Sequence, residues 1–74
     1  MRRKRVASSV IAEIGYDDDH GLLEVEFHNG RKYYYLSVPS DVYESLMSAD
    51  SIGGYFNEHI RTNYKTMRVR TPRT

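Results

Sequence analysis

The sequence predicts an α+β fold, a three-stranded antiparallel meander followed by two helices packed on one of its faces (β-β-β-α-α). Three observations predict it. Apolar and polar residues alternate through residues 10–16 and 22–28, the period of a half-buried strand. Asn29-Gly30 then joins the second of these stretches to an aromatic-rich one, the strongest short-range signal for a hairpin. Beyond Pro39 the apolar spacing changes from two to three and four, the spacing of a helix face.

The first strand reads Val10, Ala12, Ile14 and Tyr16 on one face and Ile11, Glu13 and Gly15 on the other. Asp17-Asp18-Asp19-His20-Gly21 is a turn, with Gly21 free to take positive φ. In the second strand Leu23, Val25 and Phe27 oppose Glu24, Glu26 and His28. Arg31 to Val38 supplies the third strand. Two registers are open for this hairpin. A two-residue turn would set Val25 opposite Tyr34. A three-residue loop with Gly30 in the left-handed bulge position sets Val25 opposite Tyr33 and Leu23 opposite Tyr35. The second also sets Lys32 opposite Glu26, an opposite-charge pair, and is preferred. It turns Tyr33 and Tyr35 inward and Tyr34 outward.

Pro39 suits the first position of a helix, and Asp41 in its first turn suits the dipole. Val42, Leu46 and Ala49 form its apolar stripe, with Tyr43 and Met47 beside them. Ser51 is placed to cap a second helix, whose stripe is Ile52, Tyr55, Phe56 and Ile60, with Tyr64 following.

Seventy-four residues make one domain with a thin core, because so short a chain buries only about 60% of the surface it exposes when unfolded. No cysteine is present, so neither a disulfide nor a thiolate metal site can staple it. Seven tyrosines and two phenylalanines are the large groups available for packing. The basic start is not followed by the unbroken apolar run of a secretory segment, since Ser8, Ser9 and Glu13 interrupt it. No run reaches the roughly 20 apolar residues of a membrane span. A cytoplasmic protein without a membrane partner is expected.

The charge is segregated. Arg2, Arg3, Lys4 and Arg5 stand at one end, and Lys65, Arg68, Arg70 and Arg73 at the other. Between residues 6 and 64, three basic side chains face ten acidic ones, so the middle is acidic while the ends are strongly basic. Two readings stay open: tails that touch nucleic acid, or tails that solubilise an acidic domain. Residues 1–7 and 67–74 are read as flexible basic tails around a domain at 8–66.

No constellation for catalysis emerges. None of the serines sits in a nucleophile elbow, and nothing places His20, His28 or His59 beside a serine and a carboxylate. The Asp17-Asp18-Asp19-His20 cluster lacks the spacing of a calcium loop, and Glu58-His59 lacks a second histidine one turn away. No enzyme activity, cofactor or metal is expected. Ser51-Ile52-Gly53-Gly54 opens a helix with free N–H groups that could hold an anion, or simply lets the helix approach its neighbours closely. Tyr33, Tyr34 and Tyr35 follow Arg31 and Lys32, and an outward Tyr34 could stack an unpaired base, although Glu24 and Glu26 on that face would repel phosphate. Asn57, Arg61 and Tyr64 form a polar edge of the second helix. Arg61 could anchor a phosphate or pair with Glu58.

Taken in order from Ser9 to Tyr64, these elements resemble the KTSC domain, a family named for its occurrence at the C-terminus of some lysyl-tRNA synthetases and found also as stand-alone small bacterial proteins. The resemblance is carried by Gly15-Tyr16-Asp17, Leu23-x-Val25-x-Phe27, Asn29-Gly30, Tyr33-x-Tyr35, Val38-Pro39, Tyr43, Leu46, Ala49-x-Ser51-x-Gly53, Tyr55-Phe56-Asn57, Ile60-Arg61 and Tyr64. It implies RNA binding through the synthetase attachment. Many members place a basic residue beside the glycine of Ser-x-Gly, where this chain has Ile52 and Gly54. That departure weakens a phosphate-holding role there. The expected function is a small non-enzymatic module for RNA of a tRNA-like kind, contacted through Arg2, Arg3, Lys4, Arg5, Tyr34, Asn57, Arg61, Lys65 and Arg68. The alternative is a protein-interaction module.

Overall fold

The computed structural model describes residues 2–69. Its elements are β1 (Arg2–Arg5), β2 (Ile11–Asp17), β3 (Leu22–Phe27), β4 (Lys32–Tyr35), α1 (Ser40–Ser48), α2 (Ile52–Tyr55) continued by a π-helical segment (Phe56–Ile60), and β5 (Thr66–Val69). The class is α+β as expected, but the sheet has five strands where the sequence predicts three. It is antiparallel throughout, in the order β1-β2-β3-β4-β5.

The two extra strands come from the basic ends, which the sequence reading treats as tails. Arg2–Arg5 pairs with β2, and Thr66–Val69 pairs with β4. An edge strand is held by backbone hydrogen bonds to one neighbour, so it needs no apolar alternation, and charged side chains on an edge block pairing with other chains. Charge favours the flanking pairs: Arg5 stands opposite Glu13, and Glu26 opposite Lys32, whose Nζ lies 3.9 Å from the Glu26 carboxylate. These basic partners offset the like-charge pair of Glu13 and Glu26 between them. Basic ends therefore flank an acidic centre. Val6, also in the predicted tail, packs against the core and bonds the Ala12 carbonyl through its N–H, while Met1 and residues 70–74 lie outside the described residues.

The β3–β4 hairpin has the three-residue loop and its register: Val25 faces Tyr33, Leu23 faces Tyr35, and Glu26 faces Lys32. Gly30 sits at φ +88° and Gly21 at φ +61°, the left-handed region that costs a residue with a Cβ.

In β2 the expected strict alternation fails at a bulge. Ile11 pairs with Phe27 and Glu13 with Glu26, which leaves Ala12 as an extra residue. The bulge lets Ile11 and Ile14 both face the core, each fully buried, and it turns Val10 out to 52% exposure.

The core consists of Ile11, Ile14, Tyr16, Leu23, Val25, Tyr35, Val38, Leu46, Phe56 and Ile60. The helices cover one face of the sheet. Tyr43 of α1 stacks on Tyr16 with ring centroids 4.6 Å apart. Phe56 meets Phe27 and Tyr35 edge to face at 5.6 and 5.3 Å. Pro39 is the N-cap of α1, one position earlier than the sequence reading sets it. Ser51 caps α2 as expected, its hydroxyl accepting from the Gly54 N–H at 3.1 Å. After one turn the helix widens, and the Arg61 N–H bonds the Phe56 carbonyl five residues back. No helix among the described residues is long and apolar enough to cross a membrane.

Tyr16 donates its hydroxyl to the Val38 carbonyl at 2.6 Å. Burial, then the nearby Asp18, Asp41 and Asp17, pushes its pKa up. Burial also pushes Tyr35 up, against the opposing charge of Arg61. A phenol whose folded pKa lies above its unfolded value contributes stability that is full below the unfolded value and lost as pH rises through the folded one. The urea midpoint is therefore expected to hold to about pH 10 and fall above it, with a shallower fall in Tyr16→Phe. Midpoints measured from pH 8 to 12 check this.

Candidate nucleic-acid interface

The predicted contact residues do not form one surface. Arg2, Arg3, Lys4 and Arg5 lie on β1 at one edge of the sheet, and Arg68 lies on β5 at the other. Four strand spacings separate the two edges, about 19 Å. Lys65 is exposed just before β5, where its carbonyl accepts from Leu36 N–H. Tyr34 turns to the outer face, opposite Glu24 and Met67 and away from the helices. Asn57 and Arg61 face a cleft on the helix side.

That cleft, about 740 Å³, lies between the β3–β4 hairpin and the second helix. The Phe27–Phe56–Tyr35 cluster forms its apolar floor. The three-residue loop register sets Arg31 and Tyr33 on the inner face with Phe27, so both line it. Tyr33 meets Phe27 edge to face at 5.8 Å and stays half-buried. Arg61 enters from the helix side. Arg68, the register partner of Tyr33, flanks the cleft on the neighbouring strand. Gly53 and Gly54 line it too, and both are tightly approached: a Cβ on Gly53 would stand 3.3 Å from Ser8 Oγ, and one on Gly54 3.0 Å from Ser51 Oγ. A side chain at either position would press on a serine hydroxyl that bonds backbone N–H groups, Ser8 at Val10 and Ile11 and Ser51 at Gly54.

The cleft is rich in donors and poor in acceptors. No Asp or Glu lines it. Arg61 Nη1 donates to Asn57 Oδ1 at 3.0 Å, and the Arg31 backbone N–H donates to Asn29 Oδ1 at 3.0 Å. Both asparagines thereby use their oxygens internally and have their NH₂ groups left as donors. Among the described residues no carboxylate pairs with the side chain of Arg31 or Arg61. Glu58 lies instead 3.8 Å from His59 and is 75% exposed. A guanidinium has five N–H groups, so Arg61 retains donors after its bond to Asn57.

The other polar clusters are local devices. His20 Nδ1 lies 2.9 Å from Asp17 Oδ2, which holds the Asp17 carboxyl below its usual range, and the Asp19 N–H bonds Asp17 Oδ1. Among the described residues no three His, Asp or Glu side chains gather as metal ligands would.

Of the residues that line the cleft, the sequence-predicted set holds only Asn57 and Arg61; Phe27, Asn29, Arg31 and Tyr33 are the absent ones that shape its chemistry. The signal for them was present in the hairpin register, which puts Phe27, Arg31 and Tyr33 on one face. Only the position of the second helix makes that face a cleft.

Known proteins agree with the architecture. A crystal structure of a KTSC domain protein from Yersinia pestis superposes with a TM-score of 0.88 at 37% identity, covering 93% of this chain and 97% of that one. An uncharacterized protein of Stutzerimonas stutzeri is 39% identical over 70 residues, 93% of this chain and 99% of its own length. A protein of Tsukamurella paurometabola is 32% identical over 64 residues, 86% and 96% of the two lengths. The KTSC domain model matches residues 7–64, which run from the β1–β2 connection to the end of the second helix and hold most of the cleft, and the chain belongs to the KTSC domain family.

Proposed function

We propose that the protein is a non-catalytic module that binds unpaired RNA in the cleft between the β3–β4 hairpin and the second helix. The observation that supports this reading is a donor-lined cleft in which two guanidiniums without carboxylate partners stand beside partly exposed aromatic rings. Single strands are held in that way, by cationic groups on the phosphates and aromatic faces under the bases. The outer face is a poorer platform, because Glu13, Glu24 and Glu26 populate it around Tyr34. In this reading Tyr33 takes the stacking role that the sequence assigns to Tyr34, and β1 offers a separate basic contact to a longer strand.

Three arginines at the cleft set the expected salt dependence. Each neutralised phosphate of a single strand contributes about −0.7 to the slope of log K against log salt, so the slope is about −2. Affinity for a short single-stranded RNA is expected to fall on the order of twentyfold between 50 and 200 mM salt. A slope clearly steeper than this assigns β1 to the interface as well. Fluorescence titration of single-stranded RNA and tRNA at both salts is the test, and no binding at the lower salt overturns the reading. The second reading, a protein partner, has one observation in its favour: Met67 is 57% exposed on the outer face beside Tyr34.

A further inference from the structure

The charge and hydrogen-bonding character of the cleft exceed what one internal phosphate needs. A strand carries one negative charge per nucleotide, whereas a phosphomonoester carries about −1.5 to −2 at pH 7 and three acceptor oxygens. Two unpaired guanidiniums line the cleft, a third flanks it, and the two asparagines present donors because their oxygens are already engaged. A cationic, donor-rich lining with no carboxylate matches a dianion with many acceptors. The volume falls within the roughly 300–1,000 Å³ of small-molecule sites, too small for a duplex. Beside the charged groups the apolar floor continues through Tyr33 and Phe27, so one planar group fits there while its anion faces the arginines.

We infer that the cleft is a site for a nucleoside phosphomonoester, with the phosphate held by Arg31 and Arg61 and the base lying against Tyr33 and Phe27. This rests on the RNA reading, and it specifies the source as the phosphorylated end of an unpaired RNA strand rather than its interior.

The test uses the full chain, isotope-labelled, with amide signals followed by NMR. The probes are uridine, uridine monophosphate, and a four-nucleotide uridine RNA with a phosphate at its 5′ end, at its 3′ end, or at neither. One phosphorylated RNA is expected to bind at least about tenfold more tightly than the unphosphorylated one, the scale of a charge-assisted contact. Uridine monophosphate is expected to bind more tightly than uridine. The shifts should concentrate at Arg31, Tyr33, Asn57 and Arg61. In Arg31→Ala and Arg61→Ala, checked for fold by circular dichroism, the preference for phosphate should vanish. Equal affinity for phosphorylated and unphosphorylated RNA overturns the inference and leaves the RNA reading standing. Uridine monophosphate that binds as tightly as phosphorylated RNA supports the site but overturns the RNA end as its source. Absence of binding by every RNA at low salt overturns both.

Discussion

Leu46→Ala is expected to lower the stability of the domain by about 3 kcal/mol, within the roughly 2–5 kcal/mol measured for such truncations in packed cores. Leu46 is fully buried and is the one buried residue of α1, whose other apolar side chains, Val42, Tyr43 and Met47, are half-buried. Leu46 is therefore the deepest contact of the helix, with Val42, Tyr43 and Met47 packed around it. Removing the Leu46 side chain leaves a cavity that α1 can close only by moving, and the stacking of Tyr43 on Tyr16 resists that movement. Total stability scales as about 0.05–0.15 kcal/mol per residue, so a chain of this length has on the order of 4–11 kcal/mol to lose. The melting temperature should fall by more than about 10 °C, since 1 kcal/mol corresponds to about 4–8 °C at this size. Val10→Ala is the control. Val10 is 52% exposed, and its truncation should change stability by less than about 0.5 kcal/mol. Thermal melts of the three proteins decide the matter, and equal melting temperatures for Leu46→Ala and the parent would contradict the anchoring role.

Arg31→Ala combined with Arg61→Ala is expected to weaken single-stranded RNA binding on the order of a hundredfold at low salt while leaving the melting temperature nearly unchanged. Each guanidinium supplies a charge-assisted contact that on its own corresponds to about tenfold or more in affinity. Both side chains are exposed and neither holds a carboxylate among the described residues, so the fold loses little. The same measurement on Lys4→Ala with Arg5→Ala separates the two basic surfaces. Those residues lie on the edge strand β1, and neither lines the cleft. A loss in the β1 variant equal to that in the cleft variant would move the interface to the sheet edge.

The hairpin shows what was legible from local chemistry. Asn29-Gly30, the Glu26–Lys32 charge pair and the apolar alternation of β3 select one register, and that register is the one observed. The Ser51 cap and the face of Phe56 and Ile60 are equally local and hold in the structure. The bulge at Ala12 was not legible, because nothing about alanine marks an extra residue. Its effect is to bring Ile11 and Ile14 to the same buried side, which a regular strand would split between two faces. The basic end strands were hidden for a different reason. Their order comes from a neighbour's backbone, which leaves no periodic trace in Arg2–Arg5 or Thr66–Val69.

By itself the sequence determined the class of fold, the inward and outward sides of β3 and β4, the cap of the second helix, the start of the first to within one residue, and the membership of most of the core, since each follows from spacing and turn chemistry within a few residues. Tertiary structure alone decided that Arg31, Tyr33, Asn57 and Arg61 share one cleft while Tyr34 and the β1 arginines stand elsewhere. Thirty residues separate Arg31 from Arg61. That both line one cleft depends on where the second helix lies on the sheet, where Phe56 packs against Phe27 and Tyr35, and not on any local pattern.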